Sequence, residues 1–175
     1  MKNNISIRMT DITKLETDAI VNAANDGLRP GGGVCGAIFQ KAGYDKLYKA
    51  CSAIGRCKIG GAVITPGFQL KAKYIIHAVG PIWRDGAHKE PEQLYSAYKQ
   101  SLQRAKEKQC HSIGFPLISS GIFGYPKELA WKTAITSCND FMVENPDYPI
   151  EIVFAVLNDE LKSIGETVMK DVLGE

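Results

Sequence analysis

Short runs rich in β-branched and apolar residues recur at 5–8, 19–23, 62–65, 74–78, 112–116 and 150–156, and the stretches between the later runs carry a helical stripe. This alternation is the strongest constraint on the fold. Residues 92–108 place Leu94, Tyr98, Leu102 and Ala105 on one face, and residues 127–143 do the same with Ala130, Ala134, Cys138, Phe141 and Met142. Residues 36–42 read as the opening of a further helix and 159–173 as a closing one. Strands interleaved with helices predict an α/β domain whose ligands gather at the C-terminal ends of the strands. With 175 residues, 45% of them hydrophobic, the chain is expected to form one domain over 1–175 with a substantial core.

Charge excludes several partners. The chain has 21 Lys and Arg against 19 Asp and Glu, spread without a block, so neither nucleic acid nor a membrane is expected as a partner. No apolar run approaches the roughly 18 residues that a membrane helix needs, and no N-terminal stretch has the pattern of a leader. Cys35, Cys51, Cys57, Cys110 and Cys138 are scattered and odd in number, without CxxC spacing, which argues against a disulfide framework or structural zinc. A cytoplasmic monomer without metal or cofactor is the expectation. His88 and His111 have no nearby cysteine or carboxylate pattern that would hold a metal, and His77, inside an apolar strand, is given a structural role.

Chemistry concentrates in residues 22–39, NAANDGLRPGGGVCGAIF. Here a strand end is followed by carboxamides, three glycines and a helix start. Asn22 and Asn25 supply the donors and acceptors that a ribose demands, while glycines allow close backbone approach and a helix N-terminus presents unpaired N–H groups to an anion. Gly31, Gly33 and Gly36 formally match GxGxxG, but eight residues separate Asn22 from the first of them and no acidic residue follows about 20 positions on. A Rossmann turn is therefore discounted. A second loop, Ser119-Ser-Gly-Ile-Phe-Gly-Tyr-Pro126, offers hydroxyls and successive N–H groups as an anion nest, with Phe123 as a flat wall. Two such loops at strand ends point to a diphosphate. Asp11, after the first strand, can accept from an exocyclic amine or cap a turn. Cys35 lies near a helix N-terminus, where a thiol pKa falls and the thiolate is favoured; the alternative is a small residue filling space.

Together, Thr10-Asp-Ile-Thr13, Asp18-Ala-Ile-Val-Asn-Ala-Ala-Asn25, Gly31-Gly-Gly-Val34, Tyr74-Ile-Ile-His77, Val79-Gly-Pro81 and Ser119-Ser-Gly-Ile-Phe-Gly124 resemble the macrodomain family, its MacroD-type branch most. The match runs in order from Ile5 to Val156. It implies a three-layer α/β/α sandwich with a mixed, mainly parallel six-stranded sheet that binds ADP-ribose across the strand ends. By the same resemblance, Asp11 and Ile12 hold adenine, Gly32, Gly33 and Val34 line one side of the diphosphate, and Ser120, Gly121, Ile122, Phe123 and Gly124 line the other. Asn25 holds the distal ribose, Asn22 stands on the same strand end, and Asn158 falls where relatives place a ring over adenine.

Two departures from the family pattern bear on catalysis. Cys35 stands where many relatives carry an aspartate that positions or activates water, and Phe39 replaces a frequent histidine, so the obvious general base is missing. The resemblance implies a hydrolase that removes mono-ADP-ribose from carboxylate-linked modified proteins, also acting on O-acetyl-ADP-ribose, with Asn25 and Cys35 at the reacting end. The alternative is a reader module that binds ADP-ribose without turnover. A third reading makes Cys35 the nucleophile of a transferase or amidase.

Overall fold

The computed structural model describes residues 4–174. Six strands form one sheet: β1 (Ile5–Met9), β2 (Ala19–Ala24), β3 (Ala62–Pro66), β4 (Tyr74–Val79), β5 (Ser112–Phe115) and β6 (Glu151–Val156). The helices are α1 (Gly33–Ala42), α2 (Tyr44–Ile54), α3 (Glu90–Glu107), α4 (Lys127–Glu144) and α5 (Asp159–Leu173), with a 3-10 turn at Ile12–Lys14. Strand order is β1-β6-β5-β2-β4-β3, parallel throughout except for the edge strand β3, which runs antiparallel to β4.

The strands are apolar on both faces because both faces are covered. Successive side chains point to opposite sides of a strand. Thus Ala19 and Val21 of β2 join one core while Ile20 joins the other, and Ile152, Phe154 and Val156 of β6 lie opposite Val153 and Ala155. The first core carries Leu94, Tyr98 and Leu102 of α3 and Ala130, Trp131 and Ala134 of α4, with Leu161 and Ile164 of α5 against it. The second holds Ile38 and Phe39 of α1 and Leu47 of α2. The result is the expected three-layer α/β/α sandwich around a mixed, mainly parallel sheet.

The predicted elements are present within a residue or two, except that α1 begins earlier, at Gly33, and α2 was not anticipated. Its buried positions are Leu47 and Cys51, too thin a stripe to announce a helix, and Gly43 at φ 110° interrupts its continuity with α1.

Connectivity locates the cleft. After β2 the chain passes to α1 on one face, and after β5 it passes to α4 on the other, so these neighbouring strands form a switch point. Their ladder registers Ala19 with Ile113 and Ile20 with Gly114. Beyond those pairs the strands part, and a crevice opens at their carboxyl ends.

Candidate functional site

A cavity of about 600 Å³ occupies that crevice, within the range of small-molecule sites. Every parallel strand that ends there contributes: Thr10, Asp11 and Ile12 after β1, Asn25 after β2, Gly80 after β4, residues 116–123 after β5, and Leu157 and Asn158 after β6. Gly31, Gly32, Gly33, Val34 and Cys35 complete the wall.

Asp11 turns the chain out of β1. Its Oδ1 accepts from the Thr13 N–H at 2.9 Å and from Thr13 Oγ1 at 2.7 Å, capping the 3-10 turn. The hydroxyl bond from Thr13, followed by the backbone one, lowers the carboxyl pKa. The capping alternative is the one seen, with Oδ1 on the turn, and the ionised group also lines the cavity.

Two sets of backbone N–H groups converge on the cavity. In α1 the first helical bond runs from the Gly36 N–H to the Gly32 carbonyl at 3.2 Å, so the N–H groups of Gly33, Val34 and Cys35 precede the helical ladder. In the second loop, Ser120 N–H bonds Leu117 O, Gly124 N–H bonds Gly121 O at 3.0 Å and Tyr125 N–H bonds Ser119 O at 2.9 Å. Among the described residues, Gly121, Ile122 and Phe123 have no backbone acceptor for their N–H groups. Gly124 stands apart from the other predicted loop residues: it closes the turn at φ 73° and does not line the cavity. Ser120 lines it but spends its hydroxyl on Leu117 O at 2.7 Å. Apposed donor sets of this kind suit an anion that carries several oxygens.

Asn25 fastens the first loop to itself. Its Oδ1 accepts from the Arg29 N–H at 2.9 Å and its Nδ2 donates to Arg29 O at 2.8 Å. The second hydrogen of Nδ2 and a remaining lone pair of Oδ1 are left for a ligand. Gly36 packs against the same loop so closely that a Cβ there would lie 2.6 Å from the Gly31 carbonyl oxygen. Gly36→Ala is expected to destabilise the fold by about 1–2 kcal/mol through forced displacement of that backbone. An unchanged urea midpoint would contradict this.

Asn22 does not reach the cavity, contrary to its assignment as a ligand residue. It is 1% exposed and belongs to a buried hydrogen-bond chain. Inward-facing alternation along β2 sends its side chain beneath α1, where Nδ2 donates to His77 Nδ1 at 3.0 Å and to Cys35 Sγ at 3.7 Å. With Nδ1 accepting, the proton of the imidazole sits on Nε2 and is donated to Thr65 Oγ1 at 3.0 Å; the Thr65 hydroxyl donates onward to Pro66 O. Burial lowers the His77 pKa to about 4, so the ring is neutral and structural, as its strand position predicts. Asn22 Oδ1 is buried without a partner.

Cys35 ends this chain at the site, and its chemistry differs from the expectation. The thiol donates to Arg29 O at 3.7 Å, and burial raises its pKa despite the opposing hydrogen bonds from Asn22 and the Gly31 backbone. A thiolate would also face the Arg29 carbonyl oxygen. Desolvation outweighs these hydrogen bonds, and Cys35 is a neutral clasp on the 25–31 loop rather than an activated nucleophile.

At the other end Asn158 lines the cavity while its Oδ1 caps α5 by accepting from the Leu161 N–H at 2.9 Å. The sequence reading did not assign Gly80 or Ser119. Ser119 is 6% exposed at φ 68°, and its hydroxyl is buried without a partner beside the cavity. A strained, unsatisfied serine of this kind gives no local signal in sequence, because its burial depends on the approach of β4.

Known proteins share the fold and much of the sequence. The Macro domain sequence profile matches residues 21–134. A Macro domain-containing protein of Listeria monocytogenes is 47% identical over 175 residues, covering 97% of this chain and 99% of its own. The O-acetyl-ADP-ribose deacetylase of Cronobacter turicensis is 43% identical over 164 residues, 91% of this chain and 92% of its own. The solved structure of the Oceanobacillus iheyensis macrodomain with ADP superposes with a TM-score of 0.90 at 38% identity, covering 96% of this chain and 90% of that one. With the profile matching more than half of the chain and a relative 47% identical along almost its whole length, the chain belongs to the Macro domain family.

Proposed function

We propose that this protein binds ADP-ribose and hydrolyses the ester that links mono-ADP-ribose to protein carboxylates, acting also on O-acetyl-ADP-ribose. The observation that carries this reading is the pair of apposed N–H sets, at 33–35 and 121–123, lining one cavity with an ionised Asp11 at one end and Asn25 at the other. That spacing of functions suits a diphosphate between an adenine and a ribose. The relative from Cronobacter, named for O-acetyl-ADP-ribose, and the Oceanobacillus neighbour, solved with ADP, support it.

The proposed chemistry rests on positioning. The two N–H sets hold the diphosphate charges, and the free donor and acceptor of Asn25 orient the distal ribose beside its ester. Water adds to the ester carbonyl, and collapse expels the ribose hydroxyl and leaves the carboxylic acid, which loses its proton to solvent. Cys35, a neutral thiol, supplies no base, so the rate gain comes from preorganised donors and orientation. The five cysteines are free and buried, which fits a reducing compartment such as the cytoplasm.

Release of ADP-ribose from an automodified protein tests the proposal. Wild type is expected to release it, and Cys35→Ser is expected to keep the rate within about threefold, since the residue clasps the loop and does not attack. Abolished turnover in Cys35→Ser together with inhibition by a thiol alkylator would favour the cysteine-dependent reading. Calorimetric binding of ADP-ribose without any release would select the reader module, which the absence of a carboxylate at position 35 favours.

A further inference from the structure

We propose that Glu90 is a positioning residue for the 119–124 loop, acting through the 84–88 turn and Trp83. Its functional consequence rests on the reading of the cleft as an ADP-ribose site. Glu90 is the first residue of α3, directly after the exposed, left-handed Lys89, yet it is only 1% exposed itself. Its Oε2 accepts the N–H groups of Arg84, Asp85 and Gly86 at 2.9, 3.1 and 3.1 Å, and Oε1 accepts that of His88 at 2.6 Å. One carboxylate thus gathers four backbone donors. Burial alone would raise its pKa, but the donors prevail and hold it at about 2. Asp85 Oδ1 meets His88 Nδ1 at 2.8 Å and the Ala87 N–H at the same distance, which closes the turn from outside. Asp85, His88 and Glu90 bring potential metal-ligand atoms within 4.8 Å of one another, but the oxygens of Glu90 already face N–H donors.

The gathered turn covers Trp83. Gly86, at φ 83°, lies so near the indole that a Cβ would sit 2.8 Å from its Cη2. The indole also meets Tyr125, with centroids 4.7 Å apart and the rings tilted by 58°. Held by both, Trp83 donates its backbone N–H to the Phe123 carbonyl at 2.8 Å. Phe123 lies between Ile122 and Gly124, in the segment whose N–H groups line the cavity. With its carbonyl anchored from outside the cleft, the peptide units around Phe123 have a preset orientation before any ligand arrives. A buried carboxylate that satisfies four donors fixes such a turn far more firmly than exposed side chains could.

The test compares wild type with Glu90→Gln, which keeps the shape but replaces one acceptor oxygen with a donor, and with Gly86→Ala, which disturbs the turn from its other side. Ligand-free amide hydrogen exchange at the bonded amides of Trp83, Gly124 and Tyr125 is expected to be about tenfold faster in the variants, with the Gly36 amide unchanged. Calorimetry is expected to give about tenfold weaker ADP-ribose binding and less than a twofold change for AMP, which lacks the second phosphate and distal ribose. Unchanged exchange at Trp83, Gly124 and Tyr125 in both folded variants, or equal weakening of both ligands, would overturn the positioning role. If wild type bound neither ligand, the ADP-ribose reading would fall, and the exchange data would still decide whether Glu90 orders the loop.

Discussion

Asn25→Ala is expected to lower ADP-ribose release by about 100-fold, the loss typical of removing a preorganised polar group from a reacting centre. The side chain has two duties, and the substitution removes both. Its carboxamide closes a ring with the Arg29 backbone through bonds of 2.8 and 2.9 Å, and its remaining donor and acceptor face the end of the cavity assigned to the distal ribose. Loss of the ring loosens the 25–31 loop at Arg29, which then keeps only the Cys35 clasp on its carbonyl, while the Leu28 N–H to Asn25 O and Cys57 N–H to Asp26 O bonds still hold the start of the loop. Asn25→Asp offers no rescue, because the second oxygen would confront the Arg29 carbonyl. AMP binding, which draws on Asp11 and not on Asn25, is expected to persist in both variants. Wild-type release rates in Asn25→Ala would remove the residue from the mechanism.

The second large effect concerns pH. His77 has its pKa lowered from 6.5 to about 4 by burial, so between those values the unfolded chain binds a proton that the native protein refuses. Its contribution to stability is complete above pH 6.5 and is lost as the pH falls toward 4, amounting to about 3 kcal/mol. Protonation would also put a donor on Nδ1 against the Asn22 amide, which breaks the chain that ends at Cys35. Urea unfolding at pH 7 and pH 4.5 measures this. The His77→Gln variant should lose distinctly less stability between the two pH values than wild type; equal losses would mean that the ring is not held neutral.

The elements were legible because their signals are local. The short apolar runs of β2 and β6 come from burial on both faces of a strand and the stripes of α3 and α4 from burial on one face of a helix, and each leaves its own local trace. Helix α2 left almost none, since it buries only Leu47 and Cys51. The site was legible in its backbone parts. Glycines at 31–33 and the 119–124 segment announce close approach and unpaired N–H groups wherever the loops end up. Side-chain roles were less readable. Asn22 looked like a ribose ligand and Cys35 like a thiolate, and each lost that role to a neighbour distant in sequence: His77 for the first, and the desolvating floor of the cavity for the second.

By itself the sequence determined the α/β alternation, the two glycine loops, the acidic residue after β1 and the family resemblance, because these depend on residue type and spacing along the chain. Only the tertiary structure decided what Asn22, Cys35, Ser119 and Glu90 do. Whether a polar group meets solvent, a ligand or a buried partner depends on which strand lies beside it. The order β5-β2-β4 sets those neighbours, burial then keeps His77 and Cys35 neutral while four backbone donors keep Glu90 charged, and no short stretch of the chain encodes that arrangement.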